Sequence, residues 1–234
     1  MEDEIHKEGF VRHNQLGSKY DMDFLLDKTV DFLLRNESIG MPKALSQNKD
    51  LEQFKAIVGI MAMTGCRVSE CLELKYEDIK LEESEDKKQW ITLTLKNLKG
   101  SKHNTNEALT IKRVPLLIDD KNKFYKVFIK PILVWYLIVA EWFEMGVWKD
   151  SSFKIFKNWS RFRVYYYTYK FLNINPHGFR KIYTTYLVVE QNYPLKVVQK
   201  IIGHRDLKNL DYYINLRTED VKKVISEKES EMEK

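Results

Sequence analysis

The chain has few of the features that mark secreted, membrane or metal-binding proteins. It contains only two cysteines, Cys66 and Cys71, and no second pair of cysteines with which they would complete a zinc site. We expect both to be reduced, buried thiols. The most apolar run, residues 132–140, is too short to span a bilayer, and the acidic start at residues 1–4 is unlike a secretory signal. These absences favour a cytoplasmic protein.

Positive charge is scarce in the first third of the chain and concentrated in the middle. Residues 1–86 carry 11 Lys/Arg against 19 Asp/Glu, a net charge of −8. Residues 96–181 carry 17 against 6, a net charge of +11. A basic region of that size is typical of a protein that binds a polyanion such as nucleic acid. A lysine-rich surface that is merely solvated is the alternative.

Apolar periodicity and breakers predict a mainly α fold with a small antiparallel β-sheet. Six helices are expected, one short and carrying Arg67 and Glu70, besides the possible helix near the start of the chain. Strands are expected over residues 90–95 and 109–117, where β-branched residues alternate. The other predicted helices cover residues 50–64, 121–145 and 159–172, one opened by Asn175-Pro176, and one opened by Pro194 and ended by Gly203.

Breakers at residues 40–42 predict a division of the chain. Residues 1–40 would form a short N-terminal extension with one possible helix over about residues 21–35, and residues 41–216 would form the main domain. The last segment, residues 217–234, would be a C-terminal tail. No internal repeat or low-complexity tract interrupts this order.

Three ordered groups of residues carry the chemistry. They are Thr64-Gly-Cys-Arg67-Val-Ser-Glu70, then His177-Gly-Phe-Arg180, then Gly203-His204 followed by Tyr213 nine positions later. Guanidinium groups grip phosphate oxygens through paired hydrogen bonds. Histidine moves protons near neutral pH, and a tyrosine hydroxyl can form a covalent intermediate. Together these residues suit a reaction in which a phenol attacks a held phosphodiester.

On these motifs the chain resembles the catalytic domain of the tyrosine recombinases, or phage integrase family, over residues 43–216. The resemblance implies a mainly helical domain with a small sheet. It also implies an enzyme that cuts and rejoins DNA at specific sites through a 3′-phosphotyrosyl intermediate, as in DNA integration or excision. The same resemblance implies no metal and no cofactor, because arginine, lysine and histidine supply the positive charge. The implied partner is double-stranded DNA, with neither a membrane nor a small-molecule substrate.

The resemblance assigns roles to five of these residues. Arg67 and Arg180 would clamp the scissile phosphate and stabilise the charge of the transition state. His177 would handle a proton at the phosphate or the nucleophile. His204 would donate a hydrogen bond to a phosphate oxygen, and Glu70 would orient Arg67.

The nucleophile and the proton donor to the leaving group each have a competitor nearby. The nine-residue interval from His204 favours Tyr213 as the nucleophile over its neighbour Tyr212, and only one of them can face the site because adjacent helical residues diverge by about 100°. In the family a lysine on a β-hairpin protonates the leaving 5′-hydroxyl. Lys99 best matches that lysine and Lys102 comes second. The alternative is that both lysines contact DNA phosphates, and Lys102 is a candidate for that role.

Two further arginines and the C-terminal tail are expected to take part in binding. Arg161 and Arg163, on the basic aromatic helix, are candidate DNA contacts. Residues 217–234 contain a small apolar stripe at helical spacing, which suggests docking on a neighbouring subunit during self-assembly from dimer to tetramer on DNA. A frayed, solvated terminus is the alternative.

The resemblance is incomplete ahead of the catalytic domain. Family members usually carry an N-terminal helical domain that clamps DNA, and here about 40 residues precede residue 41. The chain therefore resembles a compact recombinase or a fragment of a larger integrase. Two other functions remain open from the sequence: a DNA-binding accessory without strand exchange, and a strand-relaxing enzyme similar to type IB topoisomerases.

Overall fold

The computed structural model describes residues 21–38, 48–96, 111–148 and 150–203. Within these residues there are seven α-helices: α1 (Met22–Ser38), α2 (Asn48–Thr64), α3 (Val68–Leu72), α4 (Lys130–Glu144), α5 (Arg161–Leu172), α6 (Pro176–Thr185) and α7 (Leu195–Ile202). The strands are β1 (Ile79–Glu83), β2 (Gln89–Lys96) and β3 (Ile111–Leu117). The predicted fold class, mainly α with a small antiparallel sheet, is confirmed.

Helix α2 is the centre of the core, and it packs against α4, α6 and α3. Its side chains are buried around most of its circumference, as expected for a helix surrounded by others. Gly59 allows the closest of these contacts, because a Cβ there would lie 2.2 Å from the carbonyl oxygen of Phe128. The helix predicted over residues 50–64 is therefore confirmed, and it is held tightly enough to serve as a base for the residues that follow it.

The sheet has the order β1-β2-β3 and is antiparallel throughout. Strands β2 and β3 confirm the two predicted strands over their described residues. Strand β1 was not predicted, and its burial pattern explains why: only Ile79 is buried, and the next four residues are exposed. An edge strand with one buried residue lacks the alternation on which sequence prediction depends.

The helix predicted from residue 121 starts later than expected. Side chains of Asp119 and Asn122 accept hydrogen bonds from the backbone N–H groups of Lys121 and Phe124, at 3.0 and 2.9 Å, and hold a turn there. A π-helical turn, Tyr125–Ile129, then leads into α4. Local side-chain to backbone bonds of this kind compete with helix formation, which corrects the prediction.

Helix α1 shares the core of the rest of the chain. The Phe32 ring lies 4.8 Å from Phe171 of α5 and 5.6 Å from Phe54 of α2, measured between centroids. Met22 and Leu25 are fully buried in the same cluster. The predicted division at residues 40–42 lies outside the described residues and stays a prediction.

The described helices were compared with the dimensions of a bilayer. None of them combines the length and the apolar character that a bilayer span requires. The most apolar predicted stretch, residues 132–140, lies within α4, which packs on α2.

Candidate active site

A tight turn after α2 positions Arg67. Gly65 has φ of +57°, in the left-handed region that ends helices. A Cβ at Gly65 would lie 2.9 Å from both Ile202 Cδ1 and Tyr183 Cδ1. The position therefore requires glycine both for its backbone conformation and for space. The chain reverses there and places Arg67 immediately before the first residue of α3.

Arg67 is held by a buried carboxylate. Its Nη1 donates to Glu70 Oε1 at 2.5 Å, and its backbone N–H donates to Glu70 Oε2 at 2.9 Å. The Glu70 side chain is 3% exposed, and the Arg67 side chain is 18% exposed. One carboxylate thus bonds both ends of the same arginine, which restricts the guanidinium to one direction. The orienting role expected for Glu70 fits this geometry and remains a prediction.

Arg180 reaches the same turn from α6. Asn175 begins this helix by accepting the Gly178 N–H on its side chain at 3.0 Å, with Pro176 in the first turn, as predicted. The Arg180 residue is 1% exposed, and its Nη1 donates to the carbonyl oxygen of Gly65 at 2.8 Å. Arg180 is thereby bonded to the turn that carries Arg67, an arginine far from it in the sequence.

A cavity of about 340 Å³ opens above this turn. Parts of α3, α5 and α6 line it: Arg67, Val68, Ser69, Arg161, Tyr165, Pro176 and His177. Arg67 and His177 therefore line a common space. Arg180 is not among these lining residues. Its contact with the Gly65 carbonyl places it against the turn that carries Arg67.

The two candidate DNA-contact arginines have different surroundings. Arg161, the first residue of α5, is exposed and lines the cavity one helical turn before Tyr165. Arg163 is half-buried, donates from Nη2 to Asp50 Oδ2 at 2.8 Å, and lies 4.3 Å from the Trp159 ring centroid. These contacts give Arg163 a structural role in joining α5 to α2. Its contact with DNA stays a prediction.

Four predicted site residues lie outside the described residues. They are Lys99, Lys102, His204 and Tyr213, and Tyr212 lies outside them as well. The described chain ends at Gly203, whose φ of +75° caps α7. The predicted helix stop is thus confirmed, and His204 is the next residue in the sequence. The roles assigned to these residues remain predictions.

One charged residue of this region was not predicted from the sequence. Lys112 on β3 donates from Nζ to the carbonyl oxygen of Thr64 at 3.0 Å. Burial lowers the pKa of Lys112 to about 8, and the positive charges of Arg180 and Arg67 act in the same direction. The signal was present in the pattern, since alternation places Lys112 on the same face of the strand as Val114 and Leu116.

The two cysteines flank Arg67 and are both fully buried and free of disulfide bonds. Burial and a hydrogen bond to Cys66 raise the pKa of Cys71. Nowhere in the described residues do three His, Cys, Asp or Glu side chains gather as metal ligands would. The donors around the turn are cationic or neutral, which suits an anion.

Comparison with known proteins shows the family of the chain. The sequence profile of the phage integrase family matches residues 32–220, most of the chain. The chain belongs to the phage integrase family. The resemblance expected from the three motifs is therefore confirmed.

Two kinds of relative give the family placement more detail. The chain is 24% identical over 217 residues to tyrosine recombinase XerA of Pyrococcus horikoshii, covering 82% of this chain and 64% of XerA. Its fold resembles that of the XerH site-specific recombinase bound to palindromic difH substrate, in a post-cleavage complex, with a TM-score of 0.56 and 19% identity. That alignment covers 91% of this chain and 54% of XerH. A pre-cleavage XerH complex with difH gives the same TM-score and identity, over 90% of this chain.

The alignments cover only part of the length of each relative. The chain spans about two thirds of XerA and about half of XerH. The fold and family follow from these likenesses, and the activity of the whole protein is a matter for proposal.

Proposed function

We propose that the chain is a site-specific DNA recombinase that cuts and rejoins strands through a 3′-phosphotyrosyl intermediate. The observation that carries the proposal is the arrangement of three residues: Arg180 bonds the Gly65 carbonyl of the turn that leads to Arg67, Glu70 holds the Arg67 guanidinium, and His177 shares a cavity with Arg67. Membership of the phage integrase family supports the same reaction. Two fixed guanidinium groups beside a cavity suit one phosphate of a DNA strand.

The cleavage step exchanges one phosphate ester for another. The Tyr213 phenol oxygen attacks the phosphorus, a new P–O bond forms to tyrosine, and the P–O5′ bond breaks. The DNA strand then ends in a 3′-phosphotyrosine and a free 5′-hydroxyl. Attack by a 5′-hydroxyl reverses these bonds and restores the phosphodiester, so no net oxidation or hydrolysis takes place. The energy of the bond is conserved in the intermediate, and no high-energy cofactor is required.

Charge and protons fall to separate residues in this proposal. Arg67 and Arg180 stabilise the additional negative charge on the non-bridging oxygens, where pre-placed donors have the greatest effect. His177 handles a proton at the phosphate or the phenol, and His204 donates a hydrogen bond to a phosphate oxygen. Lys99, with Lys102 as the alternative, gives a proton to the departing 5′-oxygen. The basic segment, residues 96–181, holds the surrounding DNA backbone.

Assembly on DNA forms a second part of the proposal. XerH was solved with its DNA substrate, and double-stranded DNA is the partner that we propose for this chain. We further propose dimer to tetramer assembly in which residues 217–234 dock on a neighbouring subunit. Removing residues 218–234 should weaken multimer formation on DNA, which analytical ultracentrifugation of both forms measures.

The decisive experiment traps the covalent intermediate. Duplexes selected for binding from a randomised pool are nicked beside the selected site, so that the short leaving strand diffuses away after cleavage. We expect wild-type protein to form a protein–DNA adduct that survives denaturing electrophoresis. Tyr213→Phe should form none while retaining its affinity for the same duplex, because one hydroxyl is lost and the basic surface is unchanged.

Tyr212→Phe is the matched control, and its adduct should persist. An adduct with Tyr213→Phe but not with Tyr212→Phe would move the nucleophile by one residue. Binding without any adduct from wild-type protein would instead support a DNA-binding accessory, and relaxation of supercoiled DNA without site preference would support a type IB topoisomerase activity. Adduct formation should continue in EDTA, and a metal requirement would contradict the mechanism.

A further inference from the structure

Lys112 occupies a position in the sheet where an apolar residue would be expected. Along β3, Val114 and Leu116 are buried on one face, and Lys112 precedes them on that face because strand side chains alternate. Its cross-strand partner is Leu95, which is 1% exposed. A lysine is thus paired with a core leucine on the side of the sheet that faces the helices.

Its ammonium group ends at the C-terminus of α2. Nζ donates to the Thr64 carbonyl oxygen at 3.0 Å, across 48 positions of sequence. Carbonyls in the last turn of a helix have no partner within the helix and carry the negative end of its dipole. A cation is therefore a suitable partner for this carbonyl, and the contact joins the sheet to α2.

The next carbonyl in the chain accepts a hydrogen bond from Arg180. Arg180 Nη1 donates to Gly65 at 2.8 Å, so that two cations from separate elements bond consecutive carbonyls of one turn. Arg67 follows two residues later. The position of that turn relative to β3 and α6 therefore sets the separation of the two arginines.

Stability alone does not explain a charge in this place. Four ionisable or charged groups face Lys112: Cys66 and Glu70 favour its protonated form, whereas Arg180 and Arg67 oppose it. Burial is the largest influence and lowers its pKa to about 8. An ammonium in such surroundings costs free energy that a leucine or methionine would not.

We propose that Lys112 is a positioning residue, which fixes residues 64–67 against β3 and so holds Arg67 and Arg180 at the spacing that one phosphate requires. This inference rests on the proposed recombinase function. Lys112 acts through the backbone carbonyl and through the two arginines, and it does not protonate the leaving group. Displacing a catalytic group by about 1 Å can reduce a rate by on the order of 10²-fold.

The test compares two substrates and two substitutions at Lys112. One substrate has the natural 5′-oxygen leaving group, and the other has sulfur at the same bridging position, which leaves as a thiolate without a proton. We expect Lys112→Met to lower single-turnover cleavage on the order of 10²-fold on both substrates, with DNA affinity retained and thermal stability no lower than that of the wild type. Lys112→Arg retains a donor for the Thr64 carbonyl and should keep at least about a tenth of the wild-type rate.

Two controls separate positioning from other effects. Lys80→Met removes one exposed lysine from β1 and should cleave as wild type does. Lys99→Met should recover on the sulfur substrate, since it removes the proposed proton donor.

Recovery of Lys112→Met on the sulfur substrate would make Lys112 a proton donor and overturn the proposal. Cleavage by Lys112→Met within about threefold of wild type would overturn it as well, and so would a Lys112→Arg rate as low as that of Lys112→Met. If wild-type protein forms no adduct at all, the proposed function fails. That result differs from an adduct that forms at the same rate in wild type and Lys112→Met, which would contradict only the role of Lys112.

Discussion

The floor and the rim of the cavity hold their positive charges in different ways. At the floor, Arg180 is 1% exposed and bonds a backbone carbonyl, and Arg67 is fixed by a carboxylate that is itself 3% exposed. At the rim, Arg161 is exposed at the start of α5, and its neighbour Phe162 is 80% exposed. Arg67 and Arg161 line the same cavity, but only the floor arginines, Arg67 and Arg180, are fixed in place.

The difference indicates that the floor and the rim have different functions. Donors that are already fixed need little reorganisation when charge develops on a phosphate, so the floor suits transition-state stabilisation. Exposed arginines at the rim are screened by salt, and they suit adjustable contacts with the DNA backbone. Substitutions at the floor should therefore change the rate of cleavage, and substitutions at the rim should change affinity.

The largest effect is expected when a floor arginine becomes lysine. Arg180→Lys should lower single-turnover cleavage on the order of 10² to 10³-fold, because an ammonium cannot bond the Gly65 carbonyl and present a planar fork to phosphate together. Arg161→Lys at the rim should lose less than about 10-fold. Rapid-quench measurement on the same duplex gives both values. Equal losses would remove the distinction between floor and rim.

The turn under the floor should be sensitive to a single methyl group. Gly65→Ala forces a Cβ against Ile202 and Tyr183 at a positive φ, whereas Gly146, with φ of +73°, has nothing within 4 Å of its Cβ position. Both substitutions incur the left-handed backbone cost of about 1–2 kcal/mol. Gly65→Ala should lose roughly 1–3 kcal/mol more through overpacking. Urea denaturation of the two variants measures the difference, and similar losses would contradict a close-packed turn.

The charge of Lys112 should make stability depend on pH. Its pKa is lowered to about 8 in the folded protein, so between that value and the ordinary lysine pKa of about 10.4 the unfolded chain binds a proton that the folded chain does not. Stability then rises with pH across this window. Relative to Lys112→Met, the wild-type protein should gain up to about 3 kcal/mol between pH 7 and pH 10.5. Parallel denaturation curves at several pH values test the gain, and a flat difference would place the ammonium in water.

The smallest effect concerns the two arginines of α5. Arg161→Ala should reduce the slope of log affinity against log salt by roughly 0.9, as expected for one phosphate contact. Arg163→Ala should instead lower stability, because it breaks the ion pair with Asp50 and the stacking on Trp159. Fluorescence anisotropy over a range of salt concentrations distinguishes them. A reduced slope for Arg163→Ala would support its sequence-based assignment to DNA contact.

Much of the site was accessible from the sequence because its signals are local. The start of α6 is set by Asn175 and Pro176, and the end of α7 is set by Gly203. The motifs around Arg67, His177 and Arg180 could be recognised by residue type and order, and they predicted the family. Helix starts and stops are set by residues within a few positions of each other, so they can be recognised in the sequence.

Other features followed only from contacts between distant parts of the chain. Strand β1 exists because β2 pairs with it, and its own residues are mostly exposed. Arg163 is held against α2 by an aspartate 113 positions away, and its expected contact with DNA stays a prediction. No local pattern could have predicted either contact.

The sequence by itself pointed to the candidate site residues and to the helices in which most of the described ones lie. The tertiary structure decided how they are held: Arg180 meets Gly65 across 115 positions, and Lys112 meets Thr64 across 48. Every residue type has a backbone carbonyl, so no sequence motif can indicate that the carbonyls of Thr64 and Gly65 accept these hydrogen bonds. Their availability arises only when a helix ends and its last carbonyls need donors from elsewhere in the fold.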